Sequence, residues 1–414
     1  MLSCMILLLL LCGCSGAEIL PGEGGEAAGG MGNAGGRGAS DESEISIDRV
    51  NEDGADTESV QADISVRTPV YATQYSLKEF PSGYIEIAIE DGLKYLLIPE
   101  GMPEPDEGEI SGLSGYTRIH QPVNRVYLAA SSAMDMFDAL DCLERVRFTS
   151  TQEQDWSLPH VREAMASERL DYIGKYNAPD YEAILEEDTD LAIESTMVYH
   201  SPEVKEELAA LGVPVLVERS SYEHDPLGRL EWIRLYGLLL GKQAEADAFF
   251  DEAVGELSEE LGEPESSPEA DPPTVAFFSI SDSGYATIRK NGDYITRMIE
   301  MAGGRYVPAD EVPEEENALS TMNIQMEQFY EDAADCDILI YNSTIRRDIQ
   351  TTEELLDRSG VLEDFRAVSE GRVWCTNKNV YQQSTGIHTM IRELHQIIEG
   401  KEDDEGMAFF HKVE

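Results

Sequence analysis

Asp225-Pro226-Leu227-Gly228-Arg229-Leu230-Glu231-Trp232-Ile233-Arg234 opens the segment whose reading decides the fold. The short carboxylate of Asp225 can accept the free N–H groups of a first helical turn, and Pro226 follows where a missing N–H costs nothing. An apolar-rich run continues to about Leu261, so the segment predicts one connecting helix over residues 225–262. Roughly 35 residues at about 1.5 Å each span about 50 Å. That exceeds the needs of one small α/β lobe, and the stretch reads as a backbone joining two lobes.

Before it, apolar runs at 125–129, 146–148, 172–173, 190–194 and 215–218 alternate with helical patterns at 133–143, 158–168, 181–187 and 202–211. That rhythm predicts βαβ units and a mostly parallel sheet in a lobe over 123–224. A second alternating series fills 274–412 and echoes the first. Glu182 opens a short helix before Asp190-Leu191-Ala192-Ile193-Glu194-Ser195-Thr196, and Glu327 opens one before Asp337-Ile338-Leu339-Ile340-Tyr341-Asn342-Ser343-Thr344. The expected fold is α/β: two Rossmann-like lobes joined by one long helix. Upstream, the alternation at 84–90 and 94–98, split by Asp91-Gly92, predicts a β-hairpin within an extension over 67–122.

The N-terminus reads as a leader. A short apolar run ends in Leu11-Cys12-Gly13-Cys14, a small residue directly before a cysteine, which predicts a lipoprotein signal over 1–13 and acylation of Cys14. No Lys or Arg precedes the run, a departure from the usual signal. Seven to eight apolar residues fall short of the roughly 20 that span a bilayer. Residues 14–66 are Gly-, Ala- and acid-rich with almost no aromatics, a composition that cannot repay the entropy of ordering and predicts a disordered tether. Its Gly30-Met31-Gly32-Asn33-Ala34-Gly35 matches a dinucleotide fingerprint by chance, with no strand before it.

Across 414 residues, 82 acids against 30 bases give a net charge of -52, which excludes a nucleic-acid partner on electrostatic grounds. Beyond the leader, Cys142, Cys336 and Cys375 have no CxxC or metal-type spacing and read as buried free thiols. No GxSxG, HExxH or Walker A loop is present; Gly237 to Lys242 falls one residue short of the last, mid-helix. No enzymatic activity and no cofactor are expected. A surface-tethered hydrolase or a sensor module stays open as the alternative of another class.

Several motifs, in order, resemble a known family. These are Val126-Tyr127-Leu128-Ala129-Ala130-Ser131-Ser132 running into Met136-Phe137-Asp138-Ala139-Leu140, then Tyr176-Asn177-Ala178-Pro179-Asp180-Tyr181-Glu182, then Leu211-Gly212-Val213-Pro214-Val215, then Gly292-Asp293-Tyr294-Ile295 to Ala302-Gly303-Gly304. Over about 123–400 the chain resembles the class III substrate-binding proteins of ABC importers for iron-siderophore complexes, haem and cobalamin. The resemblance implies a ligand held between two lobes, little closure on binding, and one exposed glutamate per lobe docking on permease arginines, here Glu182 and Glu327. Asp141-Cys142-Leu143 departs from the glycine many relatives carry after the first helix.

In such a fold the loops after the strands face the ligand. The candidates are Ser131, Ser132, Trp156, Tyr176, Ser195, Thr196, Ser220, Ser221 and Tyr222 in the first lobe, and Ser281, Asp282, Ser283, Tyr285, Asn342, Tyr381 and Gln382 in the second. Hydroxyls, amides and aromatics suit a large, partly apolar, oxygen-rich complex. The histidines are scattered, with His388 and His395 at i and i+7 reading as a helix face and His224 as part of a turn, so no direct metal ligand is assigned. The expectation is a monomeric, extracytoplasmic, lipid-anchored protein that captures a chelated metal, a ferric siderophore first, and delivers it to an ABC permease and its ATPase. Haem, cobalamin and a free metal ion remain alternatives.

Overall fold

The computed structural model describes residues 67–262, 271–309, 321–344, 346–401 and 406–414, all within one compact unit. The expected signal, acylated Cys14 and tether lie outside the described residues. Among the described residues no helix is long and apolar enough to cross a membrane.

The first lobe is the βαβ series that the apolar rhythm predicts. Its strands are ordered Val215–Glu218, Leu191–Ser195, Val126–Leu128, Val146–Thr149, Asp171–Tyr172, and all neighbours are parallel. The second lobe places Thr321–Ile324, Ala286–Arg289, Thr274–Ile280, Ile338–Tyr341, Val373–Thr376 and Phe410–Lys412 in one sheet, with Arg305–Val307 also beside Thr274–Ile280. Here the inner pairs are parallel, whereas Ala286–Arg289, Thr321–Ile324 and Phe410–Lys412 run antiparallel.

The echo between the lobes is structural. Asp190 Oδ2 accepts the N–H groups of Asn124 and Arg125 at 3.0 Å each, and its own N–H donates to the Arg125 carbonyl. Asp337 Oδ2 accepts the Thr274 N–H at 2.8 Å and hydroxyl at 2.7 Å, and its N–H donates to the Thr274 carbonyl. Each aspartate thereby sets the register between the first strand of its lobe and the strand that it precedes. Burial raises the Asp337 carboxyl, but Thr274 and Arg366 outweigh it and hold the group below its ordinary value.

The predicted single connecting helix is two helices, Pro226–Leu240 and Gln243–Leu261, folded into a hairpin. Seventeen residues of continuous helix would separate Arg234 from Asp251 by about 25 Å. Their side chains meet at 2.7 Å, and Arg234 also pairs with Asp247 at 2.9 Å. The break is at Gly241, left-handed at φ 68°, with the Lys242 N–H donating back to the Gly237 carbonyl at 2.7 Å, the closure that ends helices at a glycine. Gly237 lets the helices approach, since a Cβ there would stand 2.3 Å from Ala246 Cβ.

The extension is larger than a hairpin. Ile85–Ile89 and Lys94–Ile98 pair antiparallel as expected, but Tyr75–Glu79 and Thr117–His120 flank them in a four-stranded sheet. Its inner residues join the main core with Trp232 and Val126, and the Tyr95 hydroxyl donates to the Val215 carbonyl at 2.7 Å.

The helix break has a sign that can be measured. Alanine in place of an interior helical glycine adds about 1 kcal/mol of stability, whereas at a left-handed residue it costs about 1–2 kcal/mol. Gly241→Ala should therefore lower stability in urea melts; a gain would restore the single rod.

Candidate functional site

Parallel strands leave their following loops at one end of the sheet, and in open α/β folds ligands bind at that end. In this chain the loops after strands of both lobes meet. From the first lobe come the start of helix Ser131–Ala139, the loop around Asp155–Ser157 and the turn ending at His224. From the second come Gly292 and the segment Tyr381–Thr385.

The contacts are polar and specific. The Ser384 hydroxyl donates to the Ser132 carbonyl at 2.6 Å, and Thr385 donates its N–H and hydroxyl to Asp135 at 2.7 and 2.5 Å. Gln382 receives the Ser157 N–H at 2.6 Å and donates to the Asp155 carbonyl at 2.8 Å. His224 Nδ1 lies 2.9 Å from the Gly292 carbonyl oxygen, and the Arg229 guanidinium sits 3.7 Å above the Tyr294 ring. Burial pushes the Asp135 carboxyl up to about 6 despite the two bonds from Thr385. Glu218, at the end of its strand, is likewise raised by burial, opposed by bonds from Ser220 and Ser132.

The second-lobe wall centres on Arg289. This buried guanidinium pairs with Asp293 at 3.2 Å and donates to the Tyr381 hydroxyl, which also receives the Asn342 amide at 2.9 Å. The Asn342 carbonyl oxygen in turn accepts the Thr344 hydroxyl at 2.7 Å. The result is a cation held beside an aromatic ring, next to the Gln382 bridge between the lobes, an arrangement able to orient an anionic or oxygen-rich ligand.

The expected residues fare unequally. Ser132, Asn342, Tyr381 and Gln382 are brought into these networks, and Ser131 is half-buried beside them. Ser220 is buried and its N–H binds Glu218, Ser221 is half-buried, and Tyr222 stacks under Arg219 at 4.4 Å. Ser195 caps the turn Thr196–His200, Thr196 is half-buried, and Ser281 accepts the Tyr285 N–H at 3.0 Å. Asp282 pairs with Arg346 in an exposed turn with Ser283 and Tyr285.

Trp156 is core rather than an open stacking face: it is 2% exposed, and its indole N–H donates to the Thr151 carbonyl. Tyr176 packs on the outer cluster of its lobe with Ile173 and Tyr181. His388 and His395 each turn Nδ1 to a backbone carbonyl, of Thr385 and Ala302. Glu182 and Glu327 are exposed in the first turns of equivalent helices, Tyr181–Glu186 and Met326–Ala333.

Sequence reading passed over Arg229, Arg289, Asp135 and Glu218. The available signal was a charged residue at or just beyond a strand end, or near a helix start, in a chain with few bases. It also passed over Glu194. Both carboxylate oxygens of this fully buried residue, and the buried Tyr127 hydroxyl, lack a hydrogen-bond partner.

Two α/β lobes whose post-strand loops meet across a polar boundary define a two-lobed binding protein. The family model described as periplasmic binding protein matches residues 148–380, and the chain belongs to that family, one of binding proteins rather than catalysts. An uncharacterized lipoprotein of Methanocaldococcus jannaschii is 22% identical over 70% of this chain and 68% of its own length. Among solved structures, a periplasmic heme binding protein from Pseudomonas aeruginosa is similar at 15% identity and a TM-score of 0.54, covering 70% of this chain and 98% of that one. A possible iron-binding periplasmic solute-binding protein from Staphylococcus epidermidis is similar at 15% identity and a TM-score of 0.51, covering 67% of this chain and 99% of that one. These two likenesses establish the fold.

Glu194 generates a pH test. Burial pushes its carboxyl from 4.5 up to about 8, so the unfolded chain releases a proton that the folded chain keeps. The stability contributed by the neutral carboxyl is complete below pH 4.5 and falls by about 1.4 kcal/mol per unit as pH rises toward about 8. Glu194→Gln should flatten the fall of Tm between about pH 6, above the Asp135 range, and about pH 8. Parallel curves for variant and wild type would disprove the assignment.

Proposed function

We propose that this chain captures a chelated metal complex between its lobes outside the cytoplasm and hands it to an ABC permease, anchored by a lipid on Cys14. Ferric siderophore and haem are the ligand classes that the chemistry favours. The observation that carries the reading is the Arg289–Tyr381–Asn342 group beside the Gln382 bridge. In a chain of net charge -52 this inward cation is a selective feature, because a chelate bearing carboxylates or propionates is repelled by the outer surface and accepted only where a guanidinium faces it. The names of the structural neighbours, heme binding and possible iron binding, support the same ligand class.

Docking is read from charge placement. Glu182 and Glu327 are exposed, one on each lobe, at structurally equivalent positions. Two separated carboxylates would fix the orientation of a partner carrying arginines as well as speed the encounter.

Titrating the purified protein with ferric siderophores, haem, cobalamin and free divalent ions, followed by intrinsic fluorescence, identifies the ligand. Saturable quenching by a chelate is expected, weakened about tenfold or more in Arg289→Ala, as for the loss of a charged hydrogen bond worth about 1.5–3 kcal/mol. Response to no chelate would overturn the reading. The Glu182→Ala/Glu327→Ala double variant should keep the wild-type Kd and lose cellular uptake; a weakened Kd would mean that these glutamates serve the cleft instead.

A further inference from the structure

Asp348, Cys375 and His411 bring a carboxylate oxygen, a sulfur and an imidazole nitrogen within 4.8 Å of one another. They come from three separate elements. Cys375 and His411 are directly opposed across the antiparallel pair of Val373–Thr376 with Phe410–Lys412, so both side chains leave the same face of the sheet. Asp348 reaches them from the loop that follows strand Ile338–Tyr341. The site is separate from the polar contacts between the lobes: Cys375 packs with Leu339 and Tyr341, on the face opposite the connecting helices.

The hydrogen bonds set the chemistry of the imidazole. His411 Nδ1 is 2.7 Å from Asn377 Oδ1, and the Asn377 amide nitrogen donates to the Ala408 carbonyl at 2.8 Å, which orients its oxygen toward the ring. Nδ1 is therefore the protonated nitrogen. Nε2 then lies 2.9 Å from the Ile349 carbonyl oxygen, 3.2 Å from the Gln350 amide nitrogen and 3.6 Å from Asp348 Oδ1, so its lone pair is turned toward the carboxylate and the thiol side of the cluster. Cys375 Sγ lies 3.5 Å from the same Asp348 oxygen and adds a soft donor to the cluster.

We propose that Asp348, Cys375 and His411 form a zinc-class metal site that pins the C-terminal strand to the second lobe. Tetrahedral zinc with ordinary bond lengths separates its oxygen and sulfur ligands by about 3.5 Å and its oxygen and nitrogen ligands by about 3.3 Å, close to the spacings present. Mixed sulfur, nitrogen and oxygen donors favour zinc or cobalt over magnesium or calcium. The fourth position falls to water or to the Ile349 carbonyl. On binding, the Sγ–H bond breaks, its proton leaves to solvent, and the sulfur electron pair passes to the metal. Asn377 acts through His411 as a positioning residue.

The test uses the full chain, stripped with chelator and titrated with cobalt(II). One equivalent should produce sulfur-to-cobalt charge-transfer absorption together with the intense visible bands of four-coordination, and zinc should bleach both. Cys375→Ser should abolish the charge transfer, and Asp348→Asn and His411→Gln should weaken binding by more than about 100-fold. Asn377→Ala should weaken it by about 10- to 100-fold, the usual effect of removing the group that orients a ligand. Should Cys375→Ser fail to fold, the half-exposed Asp348→Asn still decides through Tm, which zinc should raise in the wild type alone. Absent charge transfer, a signal that survives Cys375→Ser, or a Tm indifferent to zinc would overturn the site.

Discussion

Two buried carboxylates hold the molecule's parts in register. Glu231 and Glu223, both fully buried, accept the consecutive backbone N–H groups of residues 70 to 74: Val70, Tyr71 and Ala72 on Glu231, Thr73 and Gln74 on Glu223. Charges taken out of water are costly unless paired. Here Arg234 meets Glu231 at 2.8 Å and the Trp232 indole meets Glu223 at 2.8 Å. The same guanidinium bonds Asp247 and Asp251 of the second helix, so one cation ties the extension to the first connecting helix and that helix to its partner. Gly228 is part of the fit, because a Cβ there would stand 2.8 Å from the Tyr71 carbonyl oxygen.

This clamp replaces the mechanics of a rod with those of a packed hairpin. The first helix is buried along nearly its whole length, and its residues share one apolar core with the extension sheet and with elements of both lobes. A lobe cannot swing without moving apolar surface that the helices, the extension and the other lobe jointly cover. The resistance to such movement comes from shared burial rather than from the stiffness of a lone helix.

Periodicity made much of this legible. Strand Val215–Glu218, the alternation of strands and helices in the first lobe and the paired aspartates 190 and 337 could be read directly, because strand-period apolar runs and helix starts are local signals. What escaped was non-local. Gly241 resembles a tolerated helical glycine until Arg234 is seen to reach Asp251. Trp156 has the same composition-level signature whether it stacks on a ligand or fills a core. The outer strands Tyr75–Glu79 and Thr117–His120 are largely polar, so only their pairing reveals them. The cluster of Asp348, Cys375 and His411 lies across 63 residues, beyond any spacing rule for cysteine.

The lobes share a ground plan and differ where the ligand would be read. In both, an aspartate sets the register of the central strands, and in both a short helix presents an exposed glutamate. Yet Arg289 ends Ala286–Arg289, an antiparallel strand with no counterpart in the all-parallel first sheet. The first wall accordingly offers carboxylates and hydroxyls, Asp135, Glu218 and Ser132, while the second offers a guanidinium and a phenol. The boundary between the lobes thus has opposite polar character on its two sides, with Arg289 held by both Asp293 and the Tyr381 hydroxyl. The shared aspartates give the two lobes a common frame, and the added antiparallel strand carries the guanidinium that sets the second wall apart.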